Sequence, residues 1–90
     1  MSRSRLWLVV ISPRAERELA RIPARDGTRI RSGIDNLAYF PFRDDLLKLE
    51  GRVNEWRLRV GDYRIRFAPD ANARVIIVLR VHRRGAGYGD

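Results

Sequence analysis

Ninety residues suffice for one domain with a single modest core, and the absence of cysteine excludes a disulfide framework, a thiolate nucleophile and a thiolate metal site. The formal net charge is +8, from 19 Lys and Arg against 11 Asp and Glu, and Lys48 is the only lysine. Arginine presents a flat fork of donors that matches phosphate and stacks on bases, so the excess points to nucleic acid, an acidic protein partner or both.

Met1–Arg5 is basic and precedes the apolar run Leu6–Ile11, an order that faintly resembles a signal peptide. The run is too short for that role, and Ser12-Pro13-Arg14 offers no small-residue cleavage site. No segment approaches the ~20 apolar residues of a membrane span, and the chain reads as cytoplasmic. Leu6–Ile11 is apolar on both faces, which predicts an internal strand. Ser12 suits an N-cap and Pro13 the first helical position, so a helix is expected through about Arg21. Ala15, Leu19 and Ile22 form its apolar side, Arg14 and Glu18 meet at i,i+4, and Pro23 ends it. A second helix is expected from about Arg25 to Tyr39, with Ile30, Ile34, Leu37 and Ala38 on one face. Gly27 and Gly33 weaken it and Pro41 stops it. The short connection predicts an antiparallel helical hairpin packed on a sheet. Phe42–Gly51 contains a short edge strand at Leu46-Leu47-Lys48-Leu49.

In Glu55–Phe67, polar and apolar residues alternate strictly on both sides of Gly61-Asp62. This predicts two strands joined by a two-residue turn, with Gly61 first as type II′ prefers. The register follows: Val60 opposite Tyr63, Arg59 opposite Arg64, Leu58 opposite Ile65, Arg57 opposite Arg66, and Trp56 opposite Phe67. One face is apolar, and Trp56 and Tyr63 belong to its core. The other carries two directly opposed arginine pairs. Opposed like charges destabilise a sheet by about 0.2–1 kcal/mol, so folding gives no reason to choose them, whereas a bound polyanion does.

Pro69–Ala73 reads as a polar turn and Arg74–Val81 as the last strand, central because Val75–Leu79 is uniformly apolar. The tail from His82 is basic, glycine-rich and loosely ordered by its composition. The order β-α-α-β-β-β-β defines one α+β domain over residues 1–90: a small, largely antiparallel sheet with two helices on one face.

No nucleotide-binding glycine loop is present, a single His with no Cys argues against a transition-metal site, and Ser2, Ser4, Ser12 and Ser32 include no elbow-type nucleophile. No cofactor is implied. What is left is Arg57, Arg59, Arg64, Arg66, His82, Arg83, Arg84 and Tyr88. Metal-free RNA cleavage needs little more. The RNA supplies its 2′-OH as nucleophile, and the protein must align it, stabilise charge on the phosphate and manage two proton transfers. His82 is the one side chain whose ordinary titration lies near neutrality.

Leu47-Lys48-Leu49-Glu50-Gly51, then Trp56-Arg57-Leu58-Arg59-Val60-Gly61-Asp62-Tyr63-Arg64-Ile65, then Val78-Leu79-Arg80-Val81-His82-Arg83-Arg84 with Tyr88 resemble the RelE/ParE toxin superfamily, nearest its RelE branch. The resemblance covers nearly the whole chain and implies a toxin of a type II toxin–antitoxin pair. RelE-like members cleave mRNA in the ribosomal A site without metal, and a small antitoxin neutralises them by wrapping around them; operator DNA is bound only through that complex. By this resemblance Arg64 is the phosphate-stabilising arginine, Arg84 stabilises charge and protonates the leaving group, and Tyr88 helps to activate the 2′-OH. Arg57 and Arg59 stand where the best-known member has lysines. Arginine holds its proton, so proton removal falls to Tyr88, His82, Glu55 or Asp45, and Arg59 is left as an electrostatic clamp. Arg57, Arg66, Arg83 and Lys48 are expected to bind RNA. The alternatives are a ParE-like poison of DNA gyrase without nuclease chemistry, and a decayed toxin that only binds its antitoxin.

Overall fold

The computed structural model describes residues 7–40, 46–49, 51 and 54–85. Its elements are β1 (Leu8–Ile11), α1 (Pro13–Ala20), α2 (Ala24–Asn36) running into a 3-10 turn at Leu37–Tyr39, β2 (Leu46–Lys48), β3 (Trp56–Val60), β4 (Tyr63–Asp70) and β5 (Val75–Arg83). The five strands form one sheet in the order β1-β5-β4-β3-β2, antiparallel except where β1 runs parallel to β5. No helix among the described residues is long and apolar enough to cross a membrane.

The helices begin and pack as their sequences require. The Ser12 side chain accepts the Ala15 N–H at 3.1 Å, and Pro13 follows at the first helical position. Ala15 and Leu19 bury the inner side of α1 against β5, while Ile30 and Ile34 bury that of α2 against β3. Between helices and sheet lie the fully buried Leu58, Ile65, Phe67, Ile76 and Val78. Phe40 anchors one end, edge-to-face against Trp7, Trp56 and Phe67, and the Trp7 Nε1–H donates to the Phe40 carbonyl at 2.9 Å.

The β3–β4 hairpin has the expected register at all five pairs, from Val60 opposite Tyr63 to Trp56 opposite Phe67. Gly61 takes φ +56°, the first-position conformation that a type II′ turn demands and that only glycine adopts cheaply.

Two expectations are corrected. First, β1 is an edge strand, not an internal one: it pairs with β5 alone. Only Val9 and Ile11 face the core, while Leu8, 63% exposed, and Val10 stand on the outer face beside Ile77. The run reads as internal because this outer stripe is itself apolar. Second, β5 continues through His82 and Arg83, so that His82 lies in the sheet opposite Arg64 instead of opening a loose tail.

That extension depends on a bulge. Arg66 is opposite Arg80 and Phe67 is opposite Val78, so Leu79 is the extra residue. A single inserted residue reverses the in–out alternation beyond it. Val78 and Val81 therefore both face the core, and Arg80 and His82 both reach the arginine face.

Gly33 has a packing role of its own. A Cβ there would lie 3.0 Å from Val60 Cγ2 and 3.4 Å from Leu58 Cδ2, whereas one at Gly27 would meet nothing within 4 Å. Gly33→Val should therefore destabilise the fold by about 1–3 kcal/mol through overpacking. Gly27→Ala should stabilise it by about 0.4–1 kcal/mol through helix propensity and unfolded-state entropy. Urea unfolding of the two variants beside the parent measures both.

Candidate functional site

Register places two rows of cations across β3, β4 and β5. The row away from the turn is Arg57–Arg66–Arg80, and the row beside it is Arg59–Arg64–His82, whose imidazole is basic but not a fixed cation. Carboxylates reach into the first row from both sides. Arg66 Nη2 donates to Glu55 Oε1 at 2.7 Å, and Arg80 Nε donates to Glu18 Oε2 at 2.8 Å. These ion pairs relieve the like-charge opposition that the sequence shows at Arg57 and Arg66.

The second row is held differently. Arg64 is only 5% exposed, and its Nη1 donates to the carbonyls of Gly61 and Tyr63, each at 3.1 Å. Such bonds fix the guanidinium fork without adding a negative charge. Arg59 is exposed, and no carboxylate pairs with it among the described residues. His82 is 9% exposed, and its Nδ1 lies 3.1 Å from the Arg83 carbonyl. A carbonyl can only accept, so Nδ1 carries a proton in this contact.

At the turn the arginine row opens into a cleft of about 750 Å³ between α2 and the hairpin. Arg29, Arg59, Arg64 and Arg84 line it, and among the described residues its lining includes no carboxylate. Arg84 is drawn there by its backbone N–H, which donates to the Asp62 carbonyl at 2.7 Å. Arg29 arrives from α2, its guanidinium 3.6 Å from where a Gly61 Cβ would stand. Four arginines around one cleft make it strongly electropositive, an environment that favours an anionic ligand.

Over residues 9–88 the sequence matches the model of the family described as the ParE toxin of the type II toxin–antitoxin system parDE. The chain belongs to this toxin family, within the RelE/ParE superfamily. No curated protein matches the sequence. Among solved structures it is similar to an archaeal RelE–RelB complex from Pyrococcus horikoshii, at 29% identity and TM-score 0.76, covering 91% of this chain and 99% of that one. It is also similar to the RelBE2 toxin–antitoxin complex of Mycobacterium tuberculosis, at 24% identity and TM-score 0.77, covering 87% and 98%. The isolated Escherichia coli RelE toxin shares the fold at 14% identity and TM-score 0.75, covering 92% and 89%.

Of the residues that the toxin's sequence singles out, the cleft gathers Arg59, Arg64 and Arg84. His82 stands one strand beyond Arg64, buried and outside the cleft lining. Glu55, a candidate base, is engaged by Arg66. Lys48 lies opposite Trp56, and Arg83 lies opposite Tyr63 with its guanidinium 5.7 Å from that ring, so both belong to the face away from the arginine rows. Tyr88 and Asp45 lie outside the described residues.

Arg29 is the residue that sequence reading missed. It sits one helical turn before Gly33, and the glycine that brings α2 onto β3 also carries Arg29 to the hairpin. A conspicuous glycine inside an amphipathic helix was the available signal.

The Glu55–Arg66 pair can be tested apart from any activity. Glu55→Ala should cost about 1.5–3 kcal/mol, the usual loss for a hydrogen bond to a charged group, because it removes the 2.7 Å bond to Arg66, which is 7% exposed and stands opposite Arg57. Arg59→Ala, on an exposed side chain, should change stability by less than about 0.5 kcal/mol. Denaturant midpoints of the two variants provide the comparison.

Proposed function

We propose that this toxin is a ribosome-dependent, metal-free mRNA endoribonuclease that cleaves in the A site, with the arginine-lined cleft as its phosphate clamp. The observation that carries the reading is the meeting of Arg59, Arg64 and Arg84, three positions drawn from β3, β4 and the end of β5, around one cleft.

In the reaction the RNA 2′-oxygen attacks the adjacent phosphorus in line with the departing 5′-oxygen. The P–O5′ bond breaks, leaving a 2′,3′-cyclic phosphate and a 5′-hydroxyl. The phosphoryl oxygens gather charge as the bond forms, and guanidiniums already fixed in place stabilise that charge without reorganising. Arg64 suits this best, since the turn carbonyls orient its fork before any ligand arrives. Arg59 and Arg84 supply further positive charge from either side, and Arg84 is the donor toward the leaving oxygen. Arginine cannot take the 2′-OH proton, so the acceptor lies outside the arginine cluster: Tyr88, four residues beyond Arg84, Asp45, or His82 beside Arg64.

The reading also supplies the toxin's partners. The ribosome presents the mRNA, and a cognate antitoxin whose acidic segment covers the basic face neutralises the toxin. Operator DNA is engaged only through that complex. The antitoxin is supported by the complexes among the structural relatives. A second reading, poisoning of DNA gyrase by binding alone, is favoured by one observation: the family model that matches is the ParE one.

Primer extension on translating ribosomes separates the two. Addition of the purified toxin should produce new breaks within A-site codons, reduced at least about 10²-fold in Arg64→Ala, the order of loss for a transition-state charge donor. Arg64→Lys should recover little, because a point charge cannot reproduce the held fork. Intact mRNA together with gyrase-dependent DNA breaks would transfer the toxin to the second reading. Single-turnover rates of His82→Ala and Tyr88→Phe assign the base to whichever variant loses the step.

A further inference from the structure

The arginines occupy one side of the cleft, and the other side is α2. Thr28, Ser32 and Asn36 line it there. They recur at i, i+4 and i+8, so they stand in a column along one side of the helix with about 6 Å between successive residues. All three are exposed and uncharged, on a helix whose other polar positions include Arg25, Asp26, Arg29, Arg31 and Asp35. Thr28 Oγ1 donates to the Ala24 carbonyl at 3.0 Å, which leaves the hydroxyl to act as an acceptor. Among the described residues no hydrogen bond engages the side chain of Ser32 or Asn36.

We propose that this column is a base-reading wall: Ser32 and Asn36, with Thr28, recognise the nucleobase adjacent to the phosphate that the arginines hold, and so set the toxin's sequence preference. The inference rests on the ribonuclease reading of the cleft and adds what that reading lacks. Guanidiniums are donors only and are satisfied by any phosphate, so the arginine side attracts RNA without discriminating among sequences. An amide offers a donor and an acceptor side by side, and a hydroxyl offers either, which is the chemistry needed to read the edge of an unstacked base. The cleft is large enough for one nucleotide, within the ~300–1,000 Å³ of ordinary small-ligand sites.

The wall is also fixed at a set distance from the clamp. Gly33 lies within the column's span, and its would-be Cβ falls 3.0 Å from Val60 Cγ2, so α2 already rests against β3 and cannot close further. Arg29 sits on the same helix, over Gly61. One rigid element thus carries both a phosphate-binding cation and the base-reading groups, the condition under which a recognition site holds its geometry.

The test uses the whole toxin and short RNA. Four labelled tetraribonucleotides, differing only in the base beside a 2′-deoxy scissile position, are titrated by fluorescence anisotropy against wild type, Ser32→Ala, Asn36→Ala and the double variant. Far-UV circular dichroism verifies that the exposed substitutions leave the fold intact. Wild type should spread the four affinities over roughly tenfold, the scale of one good amide–base contact. The double variant should compress that spread to less than about twofold, with a smaller loss of mean affinity than Arg64→Ala causes. A wild type that binds all four alike, or a spread that survives in the double variant, overturns the proposal. So does a weakened hold on the antitoxin with RNA affinities unchanged, which would give the column to a protein partner. The binding readout does not require cleavage. If the ribosome assay shows no cleavage, the ribonuclease reading fails, and the anisotropy series still decides the wall.

Discussion

One carboxylate, that of Glu18, closes the open edge of the sheet beside the functional end of the molecule. The parallel ladder between β1 and β5 stops at Ile11, and beyond it the edge of β5 would face solvent with unsatisfied backbone groups. Ser12 takes the next positions, its N–H donating to the Val78 carbonyl and its hydroxyl to that of Leu79. Glu18, one and a half turns into α1, then accepts the Val81 N–H at 2.7 Å and the Arg80 Nε–H at 2.8 Å. A helix and its cap thus continue the strand pairing that β1 abandons, and β5 can run on to Arg83. On its other edge β5 pairs with β4, which sets His82 opposite Arg64, and Arg84 is tied to the hairpin turn through the Asp62 carbonyl.

Legibility followed the strength of the local pattern. The β3–β4 register was readable to the residue because strict alternation and a Gly-Asp turn leave a single solution. The helix starts were readable because Ser12-Pro13 has one good use. The position of β1 was not, since an apolar stripe on an exposed outer face has the same composition as a buried one. The extent of β5 was hidden for a related reason. Val75–Leu79 is apolar throughout and carries no parity, so nothing marks Leu79 as a bulge, and the in–out sense of Val81 and His82 cannot be counted from it.

The candidate site divides along the same line. The arginines of β3 and β4 were legible because they alternate with core residues. Their separation into a row relieved by Glu55 and Glu18 and a row leading to the cleft was not, because Glu18 comes from a helix more than sixty residues away in sequence. Arg29 and the α2 column escaped for the opposite reason: on their own helix they look like ordinary solvated positions, and only the close approach at Gly33 turns them toward the hairpin.

The cations that line the cleft, Arg29, Arg59, Arg64 and Arg84, are all arginines, which has a consequence for how ligand binding there responds to pH. Guanidinium keeps its proton across the whole physiological range, so the attraction that holds an anionic ligand there is the same at pH 6 as at pH 9. In a cleft built from lysines, ligand capture and proton transfer would both drift as alkali was added, and the two would be hard to separate. Here the clamp is silent to pH. On the ribonuclease reading, any bend in a pH–rate profile belongs to the group that moves the proton.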